Sequence, residues 1–307
     1  MVDILLATYN GEKYLREQLE SLSAQTYRNF RILVRDDGSR DSTMHILREF
    51  QLHHAGMMEI IEDDAGGGNP AANFIELMKH ATADYVMFCD QDDRWYPAKI
   101  QTMLQRMQAE EKRMADGAAP ILIFSDYQVT DSGLRPMPVN ESHLQVARAY
   151  RNFSHLLVQN YVTGCTMMIN KTACQMAGDY DSRILMHDWW IALYVSAMGE
   201  IIHMPVKLMD YRQHENNDVG ARDVMSAKYR VEKIFDRKVR TSKDTYYAQA
   251  ALLKERFYSL MPEESRRTLD RFLALPGYPK LKRIREAIDG GFVKSDAIRT
   301  AGFLFYL

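Results

Sequence analysis

The chain has 307 residues, of which 46% are hydrophobic and 26% charged, with 16 glycines and 9 prolines. This composition is typical of a folded globular protein of one large or two smaller domains, and it excludes collagen-like, coiled-coil and largely disordered chains. The formal net charge of −2 lacks the strong basic excess of nucleic-acid-binding proteins, so we expect no nucleic-acid partner.

The N-terminal part of the chain alternates between the period of a strand and the period of a helix. We predict, in chain order, a strand at 2–7, a helix at 12–24, a strand at 30–35, a helix after the capping signal at 41–43, a strand at 58–62, a helix through 74–78 and a buried strand at 85–89. Such strand–helix–strand repetition predicts a mostly parallel sheet with right-handed crossovers.

The middle of the chain continues this pattern, and the C-terminal part becomes helical. We predict a helix at 97–113, strands at 121–126 and 161–170, a helix at 188–198, two short strands at 201–205 and 207–212 separated by Pro205, and helices at 244–260 and 263–275. The chain therefore reads as an α/β nucleotide-binding body at 1–221 followed by a helical C-terminal module at 222–307.

Charge is distributed unevenly between these two parts. Residues 1–221 hold 20 basic and 30 acidic residues, a net charge of −10, whereas residues 222–307 hold 19 and 11, a net charge of +8. The basic module predicts contact with an anionic surface such as a lipid headgroup layer, although a solvated helical face explains the same charge.

The module also contains a short amphipathic pattern. Three apolar residues fall on one helical face with basic residues around them, and the chain ends in an apolar run at 303–307. The apolar residues are Leu281, Ile284 and Ile288, and the basic ones are Lys280, Lys282, Arg283 and Arg285. We expect this segment either to dock on the anionic inner face of the cell membrane, or to pack on the catalytic body or form a homodimer contact.

Cysteine usage and the N-terminus indicate the compartment. Cys89, Cys165 and Cys174 are odd in number and form no CxxC pair, which argues against a disulfide framework and a zinc site. The N-terminus shows no secretory signal, and the longest apolar runs are far shorter than the ~20 residues that span a bilayer. We therefore expect a cytoplasmic protein without a transmembrane helix.

Three polar clusters follow strands of the predicted sheet. They lie at 8–11 after the first strand, at 36–39 after the second and at 90–93 after the fourth. Because ligands bind at the carboxyl ends of parallel strands, we expect these clusters to form one pocket. Crowded carboxylates of this kind favour a hard divalent cation, Mg2+ or Mn2+.

The residues at this point resemble a known family. The stretches LLATYNGEKYL, QTYRNFRILVRDDGSRDST and ADYVMFCDQDDRWYP, in this order and spacing, resemble the family 2 glycosyltransferases with the GT-A fold over roughly residues 1–220. DQDD followed by Pro97, then HDWW and YRQHENN, resembles bacterial rhamnosyltransferase-like members that build surface polysaccharides. The resemblance implies a GT-A nucleotide-diphospho-sugar transferase fold, with a Rossmann-like, mostly parallel sheet.

The resemblance also implies roles for individual residues. Asp37 matches the acid that reads the donor base, Asp92 matches the metal-bound acid, and Asp188 matches the base that takes the acceptor hydroxyl proton. The remaining donor-binding candidates are Thr8, Tyr9, Asn10, Asp90, Gln91 and Arg212.

Three further candidates come from their place in these motifs. His214 is expected at the metal or the diphosphate, with a solvated loop histidine as the alternative. Trp189 and Trp190 are candidates for stacking on an acceptor sugar, but adjacent helix positions point about 100° apart, so we expect one of them at most to do so.

These roles combine into one reaction. We expect an inverting, metal-dependent glycosyltransferase that moves L-rhamnose from dTDP-rhamnose, or a hexose from a UDP-sugar, to a glycan or lipid-linked acceptor. A second hypothesis is a catalytically silent sugar-nucleotide-binding protein. An aspartyl-phosphate phosphohydrolase is a third, but it needs a nucleophilic Asp after the first strand, where Thr8 and Asn10 stand.

Overall fold

The computed structural model describes residues 1–63, 68–114, 119–138, 152–215 and 237–307, with the side chains of 237–242 left out. The strands are β1 Val2–Thr8, β2 Phe30–Asp36, β3 Met58–Ile60, β4 Tyr85–Cys89, β5 Arg94–Trp95, β6 Ile121–Thr130, β7 Met167–Asn170 and β8 Glu200–Arg212. The first helices are α1 Leu15–Ser23, α2 Thr43–His53, α3 Pro70–His80, α4 Lys99–Arg113, α5 Phe153–Leu156, α6 Lys171–Gln175 and α7 His187–Met198. The C-terminal helices are α8 Arg237–Phe257, α9 Glu263–Ala274, α10 Lys280–Asp289 and α11 Ala297–Tyr306.

The strands form one mixed sheet in the order β3-β2-β1-β4-β7-β6-β8-β5. The pairs β1/β2, β1/β4, β2/β3 and β6/β8 are parallel, whereas β7 pairs antiparallel with both of its neighbours and β5 pairs antiparallel with β8. After β3 the chain returns to the other side of β1, so the strand order reverses beside β1. This switch point is where open α/β sheets bind ligands.

Two apolar layers cover the two faces of the sheet, as the near-continuous burial of β1 requires. One layer packs α1, α2 and α4 on the sheet, with Leu19 and Met103 among its buried residues. The other layer packs α3, α7 and the C-terminal helices, with Phe74, Trp190 and Phe272 among its buried residues. The polar clusters at the carboxyl ends of β1, β2 and β4 lie between these layers.

The structure corrects two strand predictions. The two short strands expected around Pro205 are one strand, β8, in which pairing with β6 jumps from Met204 to Lys207. This jump is a bulge, and a bulge tolerates the missing N–H of Pro205 inside a strand. The predicted strand at 161–170 is shorter, because residues Gly164–Thr166 form a 3-10 turn before β7.

The C-terminal helices share a core with the α/β body. The Phe257 ring lies 5.9 Å from the Trp190 ring and 5.5 Å from the Tyr194 ring. The Ser265 hydroxyl donates a 2.7 Å hydrogen bond to the Ala197 carbonyl at the end of α7. The expected boundary at 221/222 lies outside the described residues. Among the helices that are described, none is both long and apolar enough to cross a membrane.

Candidate active site

The loop after β1 is held by polar contacts to the loops after β2 and β4. The Thr8 hydroxyl donates to Asp36 Oδ1 at 2.8 Å, and Asp36 also accepts the Ser39 amide at 2.7 Å. Asn10, with a φ of 47°, donates its amide to the Ser39 hydroxyl at 2.8 Å. Thr8 is buried, so its role in the structure is to position the loop, whereas Asn10 is exposed. We call the space bordered by the loops after β1, β2 and β4 and by the first turn of α7 the cleft.

Gln91 ties the loop after β4 to the loop after β1. Its side-chain oxygen accepts the Tyr9 amide at 2.9 Å, and its side-chain nitrogen donates to the Tyr9 carbonyl at 2.9 Å. A Cβ at Gly11 would lie 2.2 Å from that same oxygen, so this close approach needs a glycine. Both hydrogen-bonding groups of Gln91 therefore serve the loop, and the Tyr9 side chain, 55% exposed, is left at the rim of the cleft.

Asp37 lies at the mouth of the cleft beside β2. Its Oδ1 accepts the Gly68 amide at 3.0 Å, and an Arg35 nitrogen lies 4.0 Å from it. The glycine-rich turn before α3 therefore meets the acid expected to read the donor base. Residues 64–67 of that turn lie outside the described residues.

Asp92 and His214 meet at the edge of the cleft, although 122 residues separate them in sequence. The Nε2 atom of His214 lies 2.7 Å from Oδ2 of Asp92, with side chains 12% and 18% exposed respectively. The His214 ring stacks on the Tyr14 ring with centroids 4.8 Å apart. A carboxylate and an imidazole side by side at a cleft fit a divalent transition ion such as Mn2+, and Mg2+ also accepts the oxygen ligand.

Arg212, expected at the diphosphate, is buried beneath this pair. Its guanidinium donates to the Asp92 carbonyl at 2.7 Å, to the Ser132 carbonyl at 2.7 Å and to the Glu17 carboxylate at 2.5 Å. The Tyr14 ring lies 4.5 Å from the guanidinium carbon. The structure therefore places Arg212 as a tether of the Asp92 loop rather than as an open diphosphate ligand.

Asp90 and Asp93 form the floor of the cleft with the buried Lys99. Burial, together with the charges of Asp92 and Asp188, raises the pKa of Asp90 to about 7. Burial also raises the pKa of Asp93, whose Oδ1 accepts the Arg212 amide at 3.0 Å. The Lys99 ammonium donates to the Cys165 carbonyl at 2.6 Å.

Lys99 supplies the positive charge under this floor. Its ammonium lies 3.7 Å from the centre of the Trp95 ring, and burial lowers its pKa to about 8. Ligand atoms of Asp90, Asp93 and Cys165 lie within 4.8 Å of one another. Burial raises the pKa of the Cys165 thiol, which makes the neutral thiol the stable form and a poor metal ligand. The pair Asp92 and His214 at the rim therefore offers a better donor set for a cation than this buried group.

Asp188 lies in the first turn of α7. Its Oδ1 accepts the Asn160 side-chain amide at 3.1 Å, and its Oδ2 accepts the Gly164 amide at 3.1 Å. Burial raises the pKa of Asp188 to about 7, although these donors oppose the shift. The negative charge of Asp188 acts on Asp90, which places the two carboxyls near each other. A carboxyl with a pKa near neutrality suits a general base.

His187 lies behind Asp188 and not in the cleft. It is buried with its ring 4.0 Å from the Phe74 ring, and burial lowers its pKa to about 3. A Cβ at Gly164 would lie 2.7 Å from Nε2 of His187 and 3.5 Å from Cβ of Asp188. Gly164 therefore lets the backbone approach Asp188 closely enough to donate its amide.

The two tryptophans of HDWW are buried to different extents. Trp190 is fully buried, and its indole donates to the Ala177 carbonyl at 3.2 Å. Trp189 donates to the Leu156 carbonyl at 2.6 Å and packs against Tyr246 with ring centroids 5.4 Å apart. Trp190 is part of the core, so the expectation that it stacks on a sugar is wrong, and Trp189 is half-buried among protein groups.

Several residues that shape the site carry no sequence signal of their own. Asn160 stands just before the stretch predicted as a strand at 161–170, and Gly164 lies inside it, so neither position is marked in the sequence as part of a site. Tyr14 lies within the GEKYL stretch, which gave it a place in a motif but no role. Lys99 reads as an ordinary helix residue, because burial beneath acids appears only once the sheet is folded.

The sequence of the chain is similar to those of known glycosyltransferases. Residues 3–174 match the model of glycosyl transferase family 2. The chain is 30% identical over 245 residues to the dTDP-rhamnosyl transferase RfbG of Shigella flexneri, covering 73% of this chain and 77% of that protein. It is 26% identical over 135 residues to the putative glycosyltransferase EpsE of Bacillus subtilis, covering 44% and 48% of the two chains.

Solved structures share the fold at low identity. TarS residues 1–349 of S. aureus in complex with UDP-GlcNAc superpose with a TM-score of 0.55 at 14% identity, covering 99% of this chain and 90% of that one. The mannosyltransferase PcManGT of Pyrobaculum calidifontis, with GDP-Man and Mn2+, has a TM-score of 0.56 at 16% identity, with 99% and 84% coverage. The chain spans half of the longer TarS chain. These likenesses confirm the predicted GT-A fold.

Proposed function

The chain belongs to glycosyl transferase family 2, and on that premise we propose that it is an inverting, metal-dependent transferase that moves a sugar from a nucleoside diphosphate to an acceptor hydroxyl. The observation that best supports this proposal is that a pair of possible cation ligands and a possible general base border one cleft. Asp92 and His214 lie 2.7 Å apart at its rim, and the Asp188 carboxyl faces it from α7. In this proposal Asp92 and His214 support the leaving group, and Asp188 removes the proton.

Asp92 and His214 are the residues that would hold the cation. When bound, Mg2+ or Mn2+ would neutralise charge on the departing nucleoside diphosphate. Arg212 holds the Asp92 loop by its carbonyl, and Tyr14 holds the His214 ring, so the pair is fixed before any ligand arrives. Such preorganisation is what a metal site needs from its surroundings.

Asp188 acts as the general base in this proposal. The carboxylate accepts the proton of the acceptor hydroxyl as that oxygen attacks the anomeric carbon and the bond to the nucleoside diphosphate breaks, which inverts the anomeric configuration. Asn160 and Gly164 each donate to one of its oxygens and so fix its orientation. The raised pKa keeps the carboxyl basic enough to take a proton near neutral pH.

Asp37 and Asn10 line the proposed nucleotide end of the cleft, with Asp90 on its floor. Asp37 accepts an amide from Gly68 through Oδ1, and its carboxylate would read an N–H of the donor base. L-rhamnose from dTDP-rhamnose is our first choice of donor, because the 30% identical relative bears the name dTDP-rhamnosyl transferase. A UDP-hexose is the alternative, and the TarS complex with UDP-GlcNAc supports only the fold.

The proposed acceptor is a glycan or lipid-linked sugar in surface polysaccharide synthesis, and the proposed compartment is the cytoplasm. All three cysteines, each within the described residues, are free and buried, which fits a reducing compartment. We assign catalysis to residues 1–221 and support of the body to residues 222–307, whose Ser295 is hydrogen-bonded to Gln159 beside Asn160.

Nucleotide sugars screened by thermal shift with and without Mn2+ test this assignment. A ligand at 100 times its dissociation constant stabilises the folded chain by ~2.7 kcal/mol, which such a screen detects. We expect dTDP-rhamnose to stabilise the chain in the presence of Mn2+, and product formation with that donor to follow. Binding without any turnover would favour a catalytically silent sugar-nucleotide-binding protein. Binding of UDP-sugars but not of dTDP-rhamnose would make a UDP-sugar the donor.

A further inference from the structure

The C-terminal helix α10 turns apolar side chains outward, away from the core. Leu281 is 85% exposed and Ile288 is 52% exposed, and they lie seven residues apart, so both point to the same side of the helix. Phe305 of α11 is 59% exposed. We call Leu281, Ile288 and Phe305 with the basic residues beside them the α10 patch, and exposed large apolar groups clustered in this way mark a contact surface.

Three basic side chains accompany these apolar groups. Lys280 lies 5.1 Å from the centre of the Phe305 ring and donates to the Phe305 carbonyl at 3.0 Å. Lys282 and Arg285 are exposed on α10 itself. Glu286 is paired with Arg271, whereas Asp289 lies 3.4 Å from Arg285 and offsets its charge. Lys280 and Lys282 therefore carry the net positive charge of the patch.

The opposite side of α10 packs against the rest of the C-terminal module. Ala287 is fully buried, and Arg283 donates to the carbonyls of Pro276 at 2.9 Å, Tyr278 at 2.8 Å and Leu307. Arg283 therefore serves the fold, contrary to the expectation that it surrounds an apolar face. Because the inward side of α10 is packed and hydrogen-bonded, the outward side is held in place as part of the folded surface.

The segment between α10 and α11 is joined to the residues beside Asp188. The Ser295 amide donates to the Gln159 side chain at 2.9 Å, and the Gln159 side chain donates to the Ser295 hydroxyl at 2.9 Å. The next residue, Asn160, donates to Asp188. The C-terminal module that carries the α10 patch is therefore tied to the segment that contacts Asp188.

We propose that the α10 patch docks the protein on an anionic lipid surface. Apolar groups surrounded by lysine and arginine match a headgroup layer, in which aliphatic side chains enter the boundary and ammonium groups meet phosphates. A symmetric contact with a second copy of the chain would bring the same basic residues of both copies together, which opposes self-association. The inference does not depend on the proposed transferase activity.

Vesicle co-sedimentation of the full chain tests the docking surface without donor or catalysis. We expect binding to vesicles of phosphatidylglycerol and phosphatidylcholine and none to phosphatidylcholine alone, weakened by high salt. The double substitution Leu281→Asp with Ile288→Asp should abolish sedimentation. Leu52→Asp, at an 82% exposed leucine of α2, is the matched control and should leave it unchanged.

Charge reversal provides a second comparison. Lys282→Glu with Arg285→Glu should lower vesicle affinity about fivefold for each charge removed, whereas Lys112→Glu on α4 should not. Equal binding to both vesicle types, no binding to either, or sedimentation of the double aspartate variant at the level of the unsubstituted chain would overturn the proposal. It would also fall if the unsubstituted chain were dimeric and the double aspartate variant monomeric in light scattering.

Discussion

The Nε2 atom of His214 lies 2.7 Å from the Oδ2 atom of Asp92, at opposite ends of a 122-residue stretch of sequence. One residue follows β4 and the other follows β8, and these strands do not pair with each other. The fold therefore assembles a carboxylate and an imidazole from two loops at one cleft edge, which is the donor set of our proposed cation site.

Asp92 and Asp93 are adjacent in sequence, but we expect their substitutions to lower transfer activity by very different amounts. Asp92→Asn removes a carboxylate of the proposed cation site, so we expect metal-stimulated transfer to fall by at least about 10²-fold. Asp93→Asn keeps an acceptor for the Arg212 amide on the floor, so the loss should be much smaller. Steady-state transfer with EDTA and then with added Mn2+ measures both, and full activity in excess chelator would reject the cation site.

Tyr14 should act through its ring and not through its hydroxyl. The ring stacks on His214, whereas the buried hydroxyl has no hydrogen-bond partner within the part of the chain that the structure describes. We expect Tyr14→Leu to weaken Mn2+ binding by about 10- to 100-fold and Tyr14→Phe to leave it near the original value. Mn2+ titration followed by electron paramagnetic resonance measures this, and equal effects of the two substitutions would exclude ring stacking as the cause.

The pH dependence of transfer should report the protonation of Asp188. Its pKa is raised to about 7, so the carboxyl is protonated and unable to accept a proton below that pH, and kcat/KM should rise as the pH rises through 7. Asn160→Ala removes a donor that favours the charged form. We therefore expect the acid limb to move up by about one pH unit.

Asn152→Ala is the control for that shift, because Asn152 caps α5 and has no bond to Asp188 in the described contacts. It should leave the midpoint of the acid limb in place. A lower rate for Asn160→Ala with an unchanged midpoint would mean that Asn160 supports the fold without acting on the base.

Gly164→Ala should damage both packing and turnover. The added Cβ would lie 2.7 Å from the buried His187 ring, which forces a shift of the segment that donates to Asp188. We expect turnover to fall roughly 10²-fold and the free energy of unfolding to fall by ~1–3 kcal/mol. Gly277→Ala is the control, since its Cβ would meet nothing within 4 Å, and similar losses in both variants would contradict the role of close packing.

Much of the fold could be predicted because its elements are regular. The buried run of β1 and the helical spacing of Leu15, Leu19 and Leu22 repeat at periods that the sequence displays. Pro205 predicts a break in β8, because prolines are rare inside strands, and only the pairing with β6 shows that a bulge accommodates it.

The site could be predicted as a set of clusters but not as a set of contacts. Asp37, Asp92 and Asp188 stand in motifs or at strand ends, so their places were accessible from sequence. The inward turn of Trp190 depends on the C-terminal helices that cover it, and Phe257 lies 67 positions further along the chain. Nothing local distinguishes a tryptophan that packs on such a helix from one that faces a sugar.

Turnover of the Asp188→Asn variant is the most direct test of the account. Asparagine keeps the shape and removes the ability to accept a proton, so donor binding with Mn2+ should match that of the unsubstituted chain while kcat falls by ~10² to 10⁴. Near-normal kcat with normal donor binding would contradict the account, because the groups at the cleft would then transfer sugar without Asp188 as the base.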